Sequence, residues 1–377
     1  MRYKLTIPAR INVLGNPSDA NEGDFATISA AVDVRAGAIV EPANGLILEA
    51  LQRTNGEFTT SLRVEFHQDD LPLPYNGELD LLKGAVNRLH RHSAEFRVKF
   101  AQRGIRIATW TDVPRQSGLG GSSLFVLLTL AGLRHFYDLD CQVHNDYVLA
   151  ELTQRVEAKE LGITCGFADR YVPLFGGIAY LDYRGKLHHQ QIRHEPYATY
   201  ERLDACVDDV PLVAISTGIV RDSGDVHGRM RPRYLEEHQA WSGSSEDMPP
   251  MVGFMRDVWE TAWRGKIALL ECDWETFGAL MNKNHHVVNE MMAYCGFTDG
   301  AGWANNLLIE TALGNGALGA KLTGAGSGGS VFALTRPGHE GALMEVWRHT
   351  AAEAGLSSAR IYRPHISRQG LVIEVEE

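Results

Sequence analysis

Six residues, Gly118-Leu119-Gly120-Gly121-Ser122-Ser123, run straight into the apolar stretch Leu124–Leu133. A phosphate needs several backbone N–H groups converging on it, and glycine lets the backbone come close. A helix opening at that point adds the positive end of its dipole, and Ser122 and Ser123 add hydroxyls for a phosphate oxygen or a metal. No lysine follows the last glycine, so this is not the GxxxxGK[ST] loop. No acidic strand end follows where a dinucleotide fold would need one. A second loop, Gly324-Ala325-Gly326-Ser327-Gly328-Gly329-Ser330, lies between apolar flanks. Taken singly, each loop could also be a packing turn. Glu157 and, twelve positions later, Asp169 supply two carboxylates downstream of the first loop. Alone they read as a solvated helix residue and a turn residue. In company they make the set that phosphoryl transfer requires: phosphate donors, a metal carboxylate, and a base or orienting carboxylate.

Elements must hold these groups in place. Tyr3 to Leu14 reads as a strand ending at Gly15, with more strand in Ala36–Val40, Leu46–Leu51, Leu62–Phe66 and Gly104–Trp110. Leu81, Leu82, Ala85, Val86 and Leu89 fall at helical spacing, as do Val148, Leu149, Leu152 and Val156 in a predicted helix over Asn145–Leu161 that carries Glu157. A composition shift over Arg184–Pro196 is the candidate domain boundary, dividing residues 1–192 from 193–377. Beyond it come the strand Pro211–Ser216, a polar basic stretch Arg221–Tyr234 and a predicted mobile loop Glu236–Pro250. Helical patterns run from Val252 to Asn289, and Val331–Leu334 is a strand. The basic stretch reads equally as a solvated surface loop or an anion clamp. His285 and His286 read as packing or surface residues, since no carboxylate or cysteine completes a metal site.

The 377 residues suit two packed domains, and 44% hydrophobic with 22% charged residues is ordinary globular composition. A net charge of −11 argues against nucleic-acid binding. Cys141, Cys165, Cys206, Cys272 and Cys295 are widely spaced with no CxxC pair, which suits reduced thiols. The opening MRYKLTIPARINVLG lacks a signal-peptide core, and no apolar run could span a bilayer. The expectation is a cytoplasmic protein, monomer or homodimer, with no membrane or nucleic-acid partner.

Three segments together resemble the GHMP kinases. Pro8-Ala9-Arg10-Ile11-Asn12-Val13-Leu14-Gly15 is similar to the family's opening strand and substrate turn, and Pro114 with Gly118–Ser123 to its ATP loop. Lys321-Leu322-Thr323-Gly324-Ala325-Gly326-Ser327-Gly328-Gly329 is similar to its C-terminal glycine loop. The resemblance implies an α/β (α+β) chain: an N-terminal ribosomal-S5-like domain with a left-handed crossover, then a ferredoxin-like domain, with the site between them. It implies ATP and Mg2+ as cofactors, and ATP held by Pro114, Gly118, Leu119, Gly120, Gly121, Ser122, Ser123, Gly326 and Ser327. By the same resemblance Glu157 with Ser123 (or Ser122) holds magnesium. Asp169 is the catalytic carboxylate, and Arg10 stabilises charge at the reacting centre. Gly15-Asn16-Pro17-Ser18-Asp19, Pro114-Arg115-Gln116, Asp169-Arg170 and Ser223-Gly224-Asp225-Val226-His227 resemble glucuronokinases. That implies a sugar acceptor, D-glucuronate first, contacted by Ser18, Asp19, Arg115, Arg170, Gly324 and Ala325, with Arg231 as a further cation. Alternatives are a kinase of a heptose, galactose or galacturonate, an ATP-dependent decarboxylase, or a non-catalytic sugar sensor. The joint presence of Arg10, Ser123, Glu157 and Asp169 disfavours the sensor, which needs no metal carboxylate.

Overall fold

In a computed structural model, every residue is described except 21–24, 55, 116, 164, 184–197, 206, 208–209, 220–222, 325 and 377. The chain opens with four strands, β1 (Arg2–Leu14), β2 (Ala26–Ala43), β3 (Leu46–Thr54) and β4 (Glu57–Phe66). Helices α1 (Asp80–His92) and α2 (Ala94–Gln102) lead to β5 (Gly104–Thr111). Then come α3 (Gly121–Phe136), α4 (Asp146–Arg155), α5 (Ala168–Phe175), β6 (Ile178–Asp182) and β7 (Thr199–Arg202). The second half holds β8 (Leu212–Ser216), α6 (Ser223–Ala240), α7 (Pro250–Leu270), α8 (Trp274–Tyr294) and α9 (Trp303–Gly314). It closes with β9 (Gly319–Thr323), β10 (Ser330–Leu334), α10 (Glu340–Glu353), β11 (Arg360–Tyr362) and β12 (Val372–Glu376).

The larger sheet runs β12-β1-β2-β5-β3-β4, with β6 and then β7 added along the first half of β2. Only β3 and β5 pair in parallel among the described strands. The smaller sheet, β11-β8-β10-β9, is antiparallel. Its central strands are apolar on both faces. Val213, Ile215, Val331 and Ala333 meet α9 and α10 around Trp347, while Leu212, Ala214, Phe332 and Leu334 join the main core. A strand covered on both sides needs such a continuous run rather than alternation.

The sheets do not respect the division at residue 192, a position outside the described residues. β7 and β12 lie beyond it, yet both complete the larger sheet. β12 covers the edge of β1 from Arg2↔Glu376 to Thr6↔Val372. An uncovered β1 would present unpaired backbone groups.

Two expected loops are structured. From Ser223 onward the basic stretch is α6, anchored by Val226, Met230 and Tyr234 in a second core. These fall at i, i+4 and i+8, but Gly224, Gly228 and Pro232 dilute the helical signal. The predicted loop Glu236–Pro250 begins as the last turn of α6, and Ser242 Oγ then donates to Asp247 at 2.8 and 2.9 Å. The helical run Val252–Asn289 is two helices, broken at Cys272 (φ 56°) and restarted by Asp273, which accepts the Thr276 N–H at 3.0 Å. No helix among the described residues is long and apolar enough to cross a membrane. The described cysteines, 141, 165, 272 and 295, are in no disulfide. Cys206 lies outside the described residues.

Candidate active site

The two glycine loops meet backbone to backbone. A Cβ at Gly324 would stand 2.8 Å from Gly118 Cα, and one at Gly118 only 2.5 Å from the Thr323 carbonyl oxygen. Both have positive φ, 73° and 80°, so no other residue fits the crossing without strain. The junction forms one wall of a cavity of about 360 Å3. Gly120, in the left-handed conformation, caps α3, and Gly120, Gly121 and Ser122 line the cavity. The first turn of α3 therefore offers its N–H groups there.

A charged chain of contacts adjoins the junction. Arg10, on β1, donates Nε and Nη2 to Asp169 Oδ1 at 2.7 and 2.5 Å, and Nη1 to the Gly118 carbonyl. Burial would raise the Asp169 carboxyl, but Arg10 and Arg170 outweigh it and hold the group below its ordinary range. Asp169 stands in the first turn of α5. That turn is pinned by Asp19, whose Oδ2 accepts the Phe167 and Ala168 N–H groups, each at 2.9 Å. Asp19 is pushed up by burial and by the Asp169 charge.

Glu157 does not sit on a regular helix as predicted. After α4 the chain widens into a π-helical turn, Val156–Glu160, with Leu161 N–H reaching back five residues to Val156. Such bulges re-aim single side chains, often at functional sites. Glu157 Oε2 accepts from Ser123 Oγ at 2.8 Å and from Arg170 Nη2 at 2.5 Å. Oε1 has no hydrogen bond among the described residues, on a side chain that lines the cavity. No group of three or more His, Cys, Asp or Glu side chains among the described residues could hold a metal. A carboxylate oxygen beside a serine hydroxyl nevertheless fits magnesium, which takes one or two protein ligands and completes its shell with phosphate and water.

Of the expected site residues, Arg10, Asp19, Pro114, Arg115, Gly118, Gly120, Gly121, Ser122, Glu157, Asp169, Gly324 and Gly326 line this cavity. Five do not. Ser18 is fully buried, its hydroxyl donating to the Ala26 carbonyl. Leu119 is packed in the core, and its carbonyl accepts the Arg10 N–H. Ser123 is buried, its hydroxyl donating to Glu157 Oε2 at 2.8 Å. Arg170 is buried behind that glutamate, so its guanidinium orients Glu157 and cannot grip a substrate carboxylate. Ser327 (φ 60°) turns into a separate cavity of about 190 Å3 behind the loop. Arg231 lines neither cavity. Ala325, Gln116 and Arg221 lie outside the described residues.

The sequence reading missed Asn12, Asn16, Thr323 and His227 in the lining, and an apolar end made by Leu81, Val113, Phe125 and Ile163. That end continues into an open cavity of about 510 Å3 beside Leu79, Leu82 and Tyr75. An apolar side chain in a slot has the same periodicity as one in the core, so only the missing wall opposite it reveals the slot. Asn12 and Asn16 could have been suspected as amides within an otherwise apolar segment. Both help hold Lys321, whose buried Nζ donates to the Asn12 carbonyl (3.2 Å), Asn16 Oδ1 (2.7 Å) and the Leu322 carbonyl (2.8 Å). Lys321 thereby ties the first motif to the third.

Residues 80–177 match the family GHMP kinases N terminal domain, and residues 305–353 match GHMP kinases C terminal. The chain is 30% identical over 346 residues to glucuronokinase 1 of Arabidopsis thaliana, covering 90% of this chain and 87% of that protein. It is 24% identical to the D-glycero-alpha-D-manno-heptose 7-phosphate kinase of Campylobacter jejuni, over 72% of each. Among solved structures, Lactococcus lactis galactokinase complexed with galactose superposes with a TM-score of 0.77 at 18% identity, covering 98% of this chain and 95% of that one. Two crossing glycine loops, a helix N-terminus and a paired arginine and aspartate thus stand in a chain that belongs to the GHMP kinase family, the ATP-dependent small-molecule kinases.

Proposed function

We propose that this kinase transfers the γ-phosphoryl group of ATP to a sugar hydroxyl, with D-glucuronate as acceptor and glucuronate 1-phosphate as product. The nucleotide base would enter the apolar end at Leu81, Phe125 and Ile163, and the phosphates would lie against the first turn of α3 and the Gly324–Gly329 loop. Glu157 and Ser123 would hold magnesium, which spreads the phosphate charge when bound. Asp169 would orient the acceptor hydroxyl or take its proton late, and Arg10 would stabilise charge on the transferring group.

The observation that carries the acidic acceptor is Arg115. It is exposed, lines the cavity, and has no ion pair among the described residues. A guanidinium can take a carboxylate through two parallel bonds, which a neutral hexose cannot use. The 30% identity to a glucuronokinase supports the same reading. A neutral sugar is the second reading, favoured by the carboxylates of Asp19 and Asp169 at the acceptor end. An ADP-release assay over glucuronate, galacturonate, galactose, glucose and a heptose separates them. Glucuronate should lead, and Arg115→Ala should lower its kcat/KM roughly tenfold to a hundredfold, from a charged hydrogen bond of about 1.5–3 kcal/mol. A neutral sugar ahead by tenfold would replace the acidic reading.

A further inference from the structure

The acceptor end holds an imidazole with no part in the roles above. His227 lies in the second turn of α6. Its neighbours fix where it points. Val226 and Met230 face the second core, and Asp225 and Arg229 pair with each other on the exposed side at 3.0 and 3.1 Å. His227 falls between these faces and lines the main cavity. Its Nδ1 is buried and has no hydrogen-bond partner among the described residues, an arrangement that costs free energy unless a ligand group completes it.

The charges around it define what that group is. Asp19 and Asp169 attract a proton to the ring, while Arg10 and Arg170 repel one. Burial is the largest influence and keeps the imidazole below its ordinary range, hence neutral, with one N–H and one bare nitrogen. Beside it, Asp19 spends Oδ2 on two backbone N–H groups and Asp169 spends Oδ1 on Arg10. Asp19 Oδ1 and Asp169 Oδ2 have no hydrogen bond of their own among the described residues. Two acceptor oxygens and an imidazole at one end of the cavity suit two neighbouring hydroxyls better than one. A substrate carboxylate would be repelled there by Asp19 and Asp169.

We propose that His227 is a specificity-determining contact that reads the hydroxyl adjacent to the one phosphorylated, so that the acceptor class is a vicinal diol. This rests on the sugar-kinase reading. Any carboxylate of the substrate then lies away from the reacting carbon, on the Arg115 side.

The test is a two-by-two comparison of wild type and His227→Phe, each assayed with D-glucuronate and its 2-deoxy form, and with D-galactose and its 2-deoxy form. Wild type should lose tenfold or more in kcat/KM on the 2-deoxy compound of whichever pair it turns over. His227→Phe should lose about as much on the parent sugar and less than threefold further on the 2-deoxy compound. KM for ATP should stay within twofold, and His227→Asn, which restores a polar group near Nδ1, should recover part of the loss. Equal losses on parent and 2-deoxy sugar, or parent activity within twofold of wild type, would overturn the contact and leave the kinase reading intact. A folded wild type silent on all four compounds, and on galacturonate, glucose and a heptose, would overturn the sugar reading and this contact together.

Discussion

At the residue scale, the chemistry rests on side chains whose partners are already in place. Asp169 keeps its charge because Arg10 grips Oδ1 with two bonds. Asp169→Asn should therefore lower kcat by ~10²–10⁴ while KM for ATP stays within a few-fold. Activity near wild type in steady-state assays would remove Asp169 from the reaction. Glu157, proposed above as a magnesium ligand, also partners Arg170 inside the protein. Glu157→Gln should cost about 3–5 kcal/mol in urea unfolding, the usual result of stranding one member of a buried pair. Ser123→Ala, which leaves the pair intact, should raise the magnesium requirement with a smaller loss of stability. An unchanged urea midpoint for Glu157→Gln would mean that Arg170 finds another partner. His285 gives a pH signature away from the cavity. Burial, then the Lys321 charge, pushes it from 6.5 down to about 4. Its folded pKa is depressed, so the stability it leaves in place above pH ~6.5 is lost as pH falls toward ~4. The loss approaches about 3 kcal/mol over 2.5 units. His285→Asn should flatten that limb of the stability curve measured by urea unfolding, and an unaltered limb would assign it to other groups.

At the element scale, the active-site wall is a crossing of two loops that only glycine permits. A methyl at Gly324 meets the Gly118 backbone at 2.8 Å, with φ at 80°. Gly324→Ala should cost about 1–3 kcal/mol through backbone strain, and it should raise KM for ATP because both loops must shift. A stable variant with unaltered KM, by calorimetry and steady-state kinetics, would show that the crossing is not needed for nucleotide binding. The π turn at Val156–Glu160 follows the same logic, with a local irregularity that aims one carboxylate. The glycines advertise themselves in the sequence. The π turn does not, because its residues Val-Glu-Ala-Lys-Glu suit a regular helix equally well.

At the scale of the whole molecule, the two halves share one main core and the last strand returns to the first. Residues of β1 and β2 pack in the same cluster as Ala262, Phe277, Met281 and Phe332. The chain should therefore unfold as one cooperative unit. A chain ending at Gly370 lacks β12 and its five pairings with β1. It should unfold in a single urea transition at lower midpoint, with a loss on the order of 2 kcal/mol from cross-strand pairs of ~0.2–1 kcal/mol each. Two resolved transitions, by fluorescence and far-UV circular dichroism, would make the halves independent.

Spacing and residue type were enough to read β1, β5, α1, α3 and both glycine loops, because each is dictated locally: alternation, a 3.6-residue period, or glycine where the backbone must bend. They also gathered Arg10, Glu157 and Asp169 as one set through family resemblance. Tertiary structure alone decided which neighbours reach the cavity. Ser18 and Asp19 are adjacent, yet one is sealed under β2 and the other faces the site. Asp169 and Arg170 are adjacent, yet one lines the cavity and the other props Glu157 from behind. His227 lies in a stretch that reads from sequence equally as a surface loop or an anion clamp, and only the packing of Val226 and Met230 in the second core turns its imidazole to the cavity. Direction is set by which face a residue shares with the packing around it, and that packing comes from other elements: Asp19 is fixed by the Phe167 and Ala168 N–H groups, and α6 is turned by its contacts with α7 and α8.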